Sequence, residues 1–236
     1  MKNILGCVCL LAAAAIPLCA DDWNWTNIYM RSSAAPPWGV TSNETDMDDV
    51  FGAGKWNTLT YESANPSWLF TPSTSFIYME GGDNNANALQ TFLSNNGDAL
   101  AAWVNAGGRL FINAAPNQGG NINFGFGITL NFSTDYTTAS NNAVTVGNSS
   151  IFNGPMRPVG TAFSGGDSFS HGYLTGSGFT RLLQDDQGRT VLAQMTVGSG
   201  LVIAGGLTVD IFQAPWPQTH YLRMNVIYYT ASAQLN

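Results

Sequence analysis

The chain has 236 residues, 44% of them hydrophobic and only 10% charged, with a formal net charge of -7. That apolar share supports a packed core and excludes disorder, which combines low hydrophobicity with high net charge. Eight basic residues against fifteen acidic ones offer no Lys/Arg patch for a phosphate backbone, so nucleic acid is excluded as a partner.

Met1-Lys2, the apolar run Ile4 to Leu18 and Leu18-Cys19-Ala20 before Asp21-Asp22 have the layout of a secretory signal peptide over residues 1–20. Cys7, Cys9 and Cys19 would leave with it, so a mature domain over 21–236 has no disulfide, thiolate ligand or cysteine nucleophile. Lipidation at Cys19 is disfavoured because Leu18, rather than a small residue, precedes it. No later run is long and apolar enough to span a bilayer. The expected location is periplasmic or extracellular.

Trp23 to Arg31 reads as a first strand, and Pro36-Pro37 with Gly39 marks a loop. A short helix over Asp46 to Phe51 and a strand over Asn57 to Tyr61 follow. Ser75 to Met79 is apolar on both alternating faces, as a strand covered on both sides requires. Helical spacing occupies Asn87 to Leu93 and then Asp98 to Ala106, with Asp98 at the favourable N-terminal end of the second piece. Arg109 to Asn113 is another buried strand, and strand–helix–strand implies a right-handed crossover in a parallel sheet.

From Ala114 to Ser168 the chain turns rich in Asn, Gly, Ser and Thr, with β-like pieces at Ile128 to Phe132 and Ala143 to Val146. This predicts an antiparallel insertion. Thr190 to Val197 and Gly200 to Ala204, joined by Gly198-Ser199, predict a late hairpin. Leu222, Val226, Tyr229 and Ala233 share one face of a terminal helix over Gln218 to Leu235.

Phe76 to Gly82, Gly107 to Ala115 and the Gly-Ser-Gly-Leu-Val-Ile-Ala-Gly-Gly segment ahead of the last helix together resemble the class I glutamine amidotransferase-like superfamily, in its trehalose-utilisation-like branch. The resemblance implies an α/β fold: a flavodoxin-like, mainly parallel sheet flanked by helices. It also implies a nucleophilic cysteine in the turn after the second buried strand. That turn reads Asn113-Ala114-Ala115-Pro116-Asn117, and a methyl group attacks no carbonyl. The resemblance is therefore to a secreted member without glutaminase chemistry.

Ligands of open α/β sheets sit beyond the carboxyl ends of the strands. That places Glu80, Asp83, Asn113, Asn117 and Thr208 on one rim as candidate ligand-binding residues. His171 is the candidate acid–base group, with Asp167 to orient it and Ser170 adjacent; the plainer reading is a loop histidine bonded to backbone. His220, in the first turn of the last helix, reads as structural. Two histidines without HxxH or HExxH spacing predict no metal site.

Asp83-Asn84-Asn85-Ala86-Asn87 lacks the Gly and Glu of a calcium loop and fits helix capping. Gly119 to Gly127 lacks the register and lysine of a phosphate loop, and no cofactor is expected. Trp38 and Trp216, each beside prolines, are candidates for contact with a glycan or an envelope protein. The leading expectation is a non-catalytic binding or structural module. The alternative is a hydrolase or related enzyme acting on carbohydrate through His171 and rim carboxylates.

Overall fold

The computed structural model describes residues 26–164 and 168–233. The expected signal peptide with its three cysteines and the candidate Asp167 lie outside these residues. Among the described residues no helix is long and apolar enough to cross a membrane.

β1 (Asn27–Arg31) buries Ile28, Tyr29 and Met30 and pairs in parallel with β2 (Asn57–Thr60) and β3 (Phe76–Glu80). Between them run α1 (Ser42–Phe51) and the single turn α2 (Pro66–Leu69). After β3 comes α3 (Ala86–Asn105), and β4 (Arg109–Asn113) returns parallel to β3. α3 is one helix where two pieces were expected, and Asp98 lies in its interior. The polar stretch between the pieces stays helical because Ser94 Oγ donates to the Gln90 carbonyl and Asn96 Nδ2 to the Phe92 carbonyl, each 2.9 Å away. Those bonds satisfy side chains that would otherwise compete with the helix backbone.

Six short strands follow: β5 (Ile122–Gly125), β6 (Ile128–Asn131), β7 (Ala143–Thr145), β8 (Ala162–Phe163), β9 (Tyr173–Gly176) and β10 (Thr180–Asp185). β11 (Thr190–Val197) and β12 (Gly200–Gly205) turn at Gly198-Ser199, and α4 (Gln218–Ser232) ends the described chain. The sheet order is β2-β1-β3-β4-β12-β11-β10-β7-β8, with β9 on β11, β6 on β9 and β5 on β6.

This sheet corrects the expected fold class. Four strand pairings are parallel and seven antiparallel, so the sheet is mixed rather than a mainly parallel flavodoxin-like one. The reason lies in β12, which pairs in parallel with β4 on one edge and antiparallel with β11 on the other. The tight Gly-Ser turn reverses the direction of pairing, and β10, β7 and β8 extend the antiparallel half. The predicted insertion is thus largely part of the main sheet.

Both faces of the central strands are buried. Ile77, Met79, Leu110, Ile112, Val202 and Ala204 pack under Leu89, Phe92 and Trp103 of α3. Tyr78, Phe111 and Ile203 face Met47 of α1 and Leu222, Val226 and Ile227 of α4. Period-two alternation therefore sends apolar side chains to both faces, and the polar positions gather at the strand ends.

Candidate functional site

β3 delivers Glu80 and then Gly81-Gly82-Asp83 to the carboxyl end of the parallel strands, and β4 delivers Asn113 to Asn117 beside it. Asp83 bridges to Pro116, and its carboxylate accepts from the Trp38 N–H at 3.0 Å and Asn117 Nδ2 at 2.8 Å. One side chain thereby fixes both walls of a cleft. Asn85 heads α3 but does not cap it: its Oδ1 accepts from the Ser32 N–H at 2.6 Å instead. The capping expected of this Asp/Asn run is thus replaced by ties to the loops after β1.

Trp38 sits in a 3-10 turn (Pro37–Gly39) with its ring over Gly82, where a Cβ would lie 2.8 Å from Glu80 Oε1 and 3.0 Å from Trp38 Cζ3. Glycine is required there by that close approach. Across the cleft, Tyr136 donates its hydroxyl to Asn117 Oδ1 at 3.2 Å. Trp38, Asp83 and Tyr136 all have positive φ, at 52°, 49° and 60°. Such residues cost on the order of 1–3 kcal/mol each and persist where the surroundings hold them.

His171 stands between the two aromatic rings, edge-on to Trp38 at 5.7 Å and to Tyr136 at 5.4 Å between centroids. Its backbone is fastened by its own N–H to the Gly206 carbonyl and by Thr138 Oγ1 to its carbonyl. Nδ1 lies 2.9 Å from the Pro116 carbonyl, which only accepts, so the ring proton resides on Nδ1. Nε2 then keeps its lone pair and has no hydrogen-bond partner among the described residues. Burial lowers the imidazole pKa, against the opposing effects of the Pro116 carbonyl and the Asp83 charge. Trp38, Asn117, Tyr136, Ser168, His171 and Phe212 line a cavity of about 490 Å³. A larger cavity of about 860 Å³ lies at the opposite end of the strands, lined by Phe70, Trp103 and Arg109, and holds no acid–base pair.

Of the residues named from the sequence, Asp83, Asn117 and His171 converge on this cleft. Ser170 does not join them: its hydroxyl is buried without a hydrogen-bond partner. Glu80, Asn113 and Thr208 lie beneath it. Glu80 Oε2 accepts from Asn43 Nδ2 at 2.8 Å and the Tyr78 hydroxyl at 2.7 Å, and Oε1 from the Gly82 N–H. Arg223 Nη1 donates to the same tyrosine oxygen at 2.8 Å, completing a buried charged network. Burial raises the Glu80 pKa, and the Arg223 charge opposes that rise. Asn113 accepts from the Leu207 N–H at 3.0 Å and donates to the Leu207 carbonyl at 2.8 Å, substituting for one rung of a strand ladder. Thr208 Oγ1 donates to the Ser168 carbonyl at 2.6 Å.

The sequence reading missed Tyr136 and Phe212 as lining residues, because each stands in a loop without periodicity. Trp38 was legible as an aromatic contact beside prolines and is half-buried, whereas Trp216 is exposed. His220 lies apart from the cleft, among Asp46, Asp49 and Asp210. Its contacts with the Asp210 and then the Asp46 carboxylates push its pKa up to about 10, while burial pushes Asp46 up to about 7.

No protein-family model matches the chain, and no curated protein matches it. Among solved structures it is similar to exo-beta-1,4-mannosidase Op5Man5 from Opitutaceae bacterium strain TAV5, at 15% identity over 91% of this chain and 37% of that one, TM-score 0.48. It is similar to a beta-galactosidase from Rahnella sp. R3, at 12% identity over 87% and 30% of the two chains, TM-score 0.48. A cytoplasmic protein, STM3548 from Salmonella typhimurium, is 11% identical over 87% and 98%, TM-score 0.50. The chain thus spans about a third of the length of these glycosidases.

The structural neighbours include carbohydrate-active enzymes. The resemblance drawn from the sequence is corrected: no family model matches and the sheet is mixed rather than mainly parallel, so membership in the amidotransferase-like, trehalose-utilisation-like superfamily is not sustained. The motifs behind that resemblance are Gly-Gly and Gly-Ser turns, local chemistry that many sheets share.

Proposed function

We propose that the chain is a hydrolase acting on carbohydrate, with His171 as its general base. The observation that carries this reading is an imidazole held through Nδ1 on the Pro116 carbonyl, in a cleft walled by Trp38, Tyr136 and Phe212, which leaves the Nε2 lone pair as its basic atom. Aromatic faces pack on the apolar faces of a sugar ring, while Asn117 and Ser168 offer amide and hydroxyl groups to its oxygens.

The bond this arrangement suits is an acyl ester on a sugar. Cleavage of a glycosidic bond ordinarily uses two facing carboxyl groups. Among the described residues the cleft has Asp83 as its carboxylate, with both oxygens engaged by Trp38 and Asn117. In the ester reaction, His171 Nε2 takes a proton from water as its oxygen attacks the acyl carbon. The imidazolium returns that proton to the departing sugar oxygen, leaving a carboxylic acid and a free hydroxyl.

The test is turnover of acetylated oligosaccharides by wild type and His171→Gln, with binding of the deacetylated product measured in parallel. The variant should lose about 10²–10⁴ in kcat while product affinity changes less than threefold. Undiminished turnover in the variant, or none by wild type across the acetylated panel, refutes the proposal.

A further inference from the structure

Three acidic side chains and a histidine far apart in sequence meet where α1 packs on α4. Asp46 and Asp49 stand one helical turn apart on α1, His220 is in the first turn of α4, and Asp210 opens a 3-10 turn (Asp210–Phe212). His220 Nδ1 lies 2.9 Å from Asp46 Oδ1 and 3.0 Å from Asp210 Oδ2. One nitrogen carries at most one proton, so it cannot donate to both. The hydrogen bond goes to Asp210. Asp46 Oδ1 stays in an ion pair with the same nitrogen, while its Oδ2, on a side chain with no exposed surface, has no hydrogen-bond partner among the described residues. A buried carboxylate without donors is expensive, and such groups are found paired or on metal ions.

We propose that Asp46, Asp210 and His220 form a binding site for a divalent transition-metal ion of the zinc type. Their three donor atoms lie within 4.8 Å of one another. A tetrahedral ion with bonds of about 2.0–2.2 Å holds its ligands roughly 3.3 Å apart, close to the 2.9 and 3.0 Å that separate His220 Nδ1 from the two carboxylate oxygens. An imidazole with two carboxylates is a donor set for zinc, manganese or ferrous iron rather than for calcium or magnesium, which take oxygen alone.

The outer nitrogen supplies an independent indication. His220 Nε2 lies 3.2 Å from Asp49 Oδ2. When an ion displaces the Nδ1 proton, a carboxylate on the far nitrogen keeps the remaining proton on Nε2 and leaves the Nδ1 lone pair to the metal, the usual arrangement of a metal-bound histidine. Three protein ligands leave a fourth position for water. The Trp216 ring lies 6.5 Å from the imidazole, inclined at 26° to it. An ion here would tie α1 and α4 to the turn that carries Phe212 to the cleft.

Zinc binding to the purified, chelator-treated full chain tests this directly, by equilibrium dialysis and thermal unfolding. One ion per chain is expected, with Tm raised by roughly 5–10 °C at a hundredfold excess over Kd. Asp46→Asn should lower affinity at least tenfold, because it removes one of the donor charges while keeping the side chain's shape, with folding checked by the metal-free Tm. Asp49→Asn, half exposed and away from the core, should weaken binding about 10–100-fold. It also serves as the readout if Asp46→Asn fails to fold. Absence of zinc binding by folded wild type, or wild-type affinity in the folded variants, overturns the site.

Discussion

Among the described residues Arg223 is the largest fully buried side chain, and its removal gives the sharpest test of the network beneath the cleft. Its guanidinium donates to the Tyr78 hydroxyl and the Thr208 carbonyl, and its charge faces Glu80, Asp46 and Asp210. In Arg223→Met, Glu80 keeps its donors from Asn43, Tyr78 and Gly82 but loses its buried countercharge. Breaking a buried charge pair from one side costs about 3–5 kcal/mol. For a chain of this size that is a fall in Tm of roughly 6–20 °C. Adding Glu80→Gln neutralises the stranded carboxylate and should return at least about 1 kcal/mol, a coupling measurable by urea unfolding of the four-membered cycle. The pH dependence follows with a definite sign. The folded Glu80 pKa already lies above the ordinary 4.5, and losing Arg223 raises it further. The folded state then holds a proton that the unfolded state has lost, so stability falls as pH rises above about 4.5. The deficit of Arg223→Met must therefore be larger at pH 8 than at pH 5. A loss below about 1 kcal/mol, or no recovery in the double variant, refutes the assignment.

Two further outcomes follow from the cleft. Because burial lowers the His171 pKa, the acidic limb of kcat/KM should lie below pH 6.5; a limb at or above it contradicts a neutral buried base. The same shift gives a stability contribution present above pH 6.5 and lost as pH falls through the folded value, which His171→Gln should flatten. Asn113→Ala orphans the Leu207 N–H and carbonyl at once, and at about 1–3 kcal/mol for each buried group should cost several kcal/mol in denaturant unfolding. A cost under about 1 kcal/mol would mean that water or relaxation replaces the clamp.

The strands legible in the sequence were those whose side chains alone determine them. Arg109 to Asn113 and Thr190 to Val197 are apolar runs bounded by Gly, and the structure gives strands with those bounds. Pairing was not legible, because it depends on which edge each strand meets. β9 and β10 carry polar residues at Thr175, Thr180 and Gln184 and show little period-two signal, yet they join the antiparallel half. His171 could be singled out because only two histidines exist and it lies among small residues. Its ring neighbours could not, since Trp38 and Tyr136 reach it from loops more than thirty residues away. The Asp46–Asp210–His220 cluster was invisible for the same reason: no spacing rule joins α1, a 3-10 turn and α4.

The three left-handed residues around the cleft set stability and function against each other. Glycine at position 38, 83 or 136 would relieve the backbone at each place, and a selection for thermal resistance would favour it. Each such replacement also deletes an aromatic wall or the carboxylate that fixes two loops. A library of this protein ranked by melting temperature alone would therefore enrich variants whose cleft has come apart, and a rigid, long-lived product would be a poor guide to an active one.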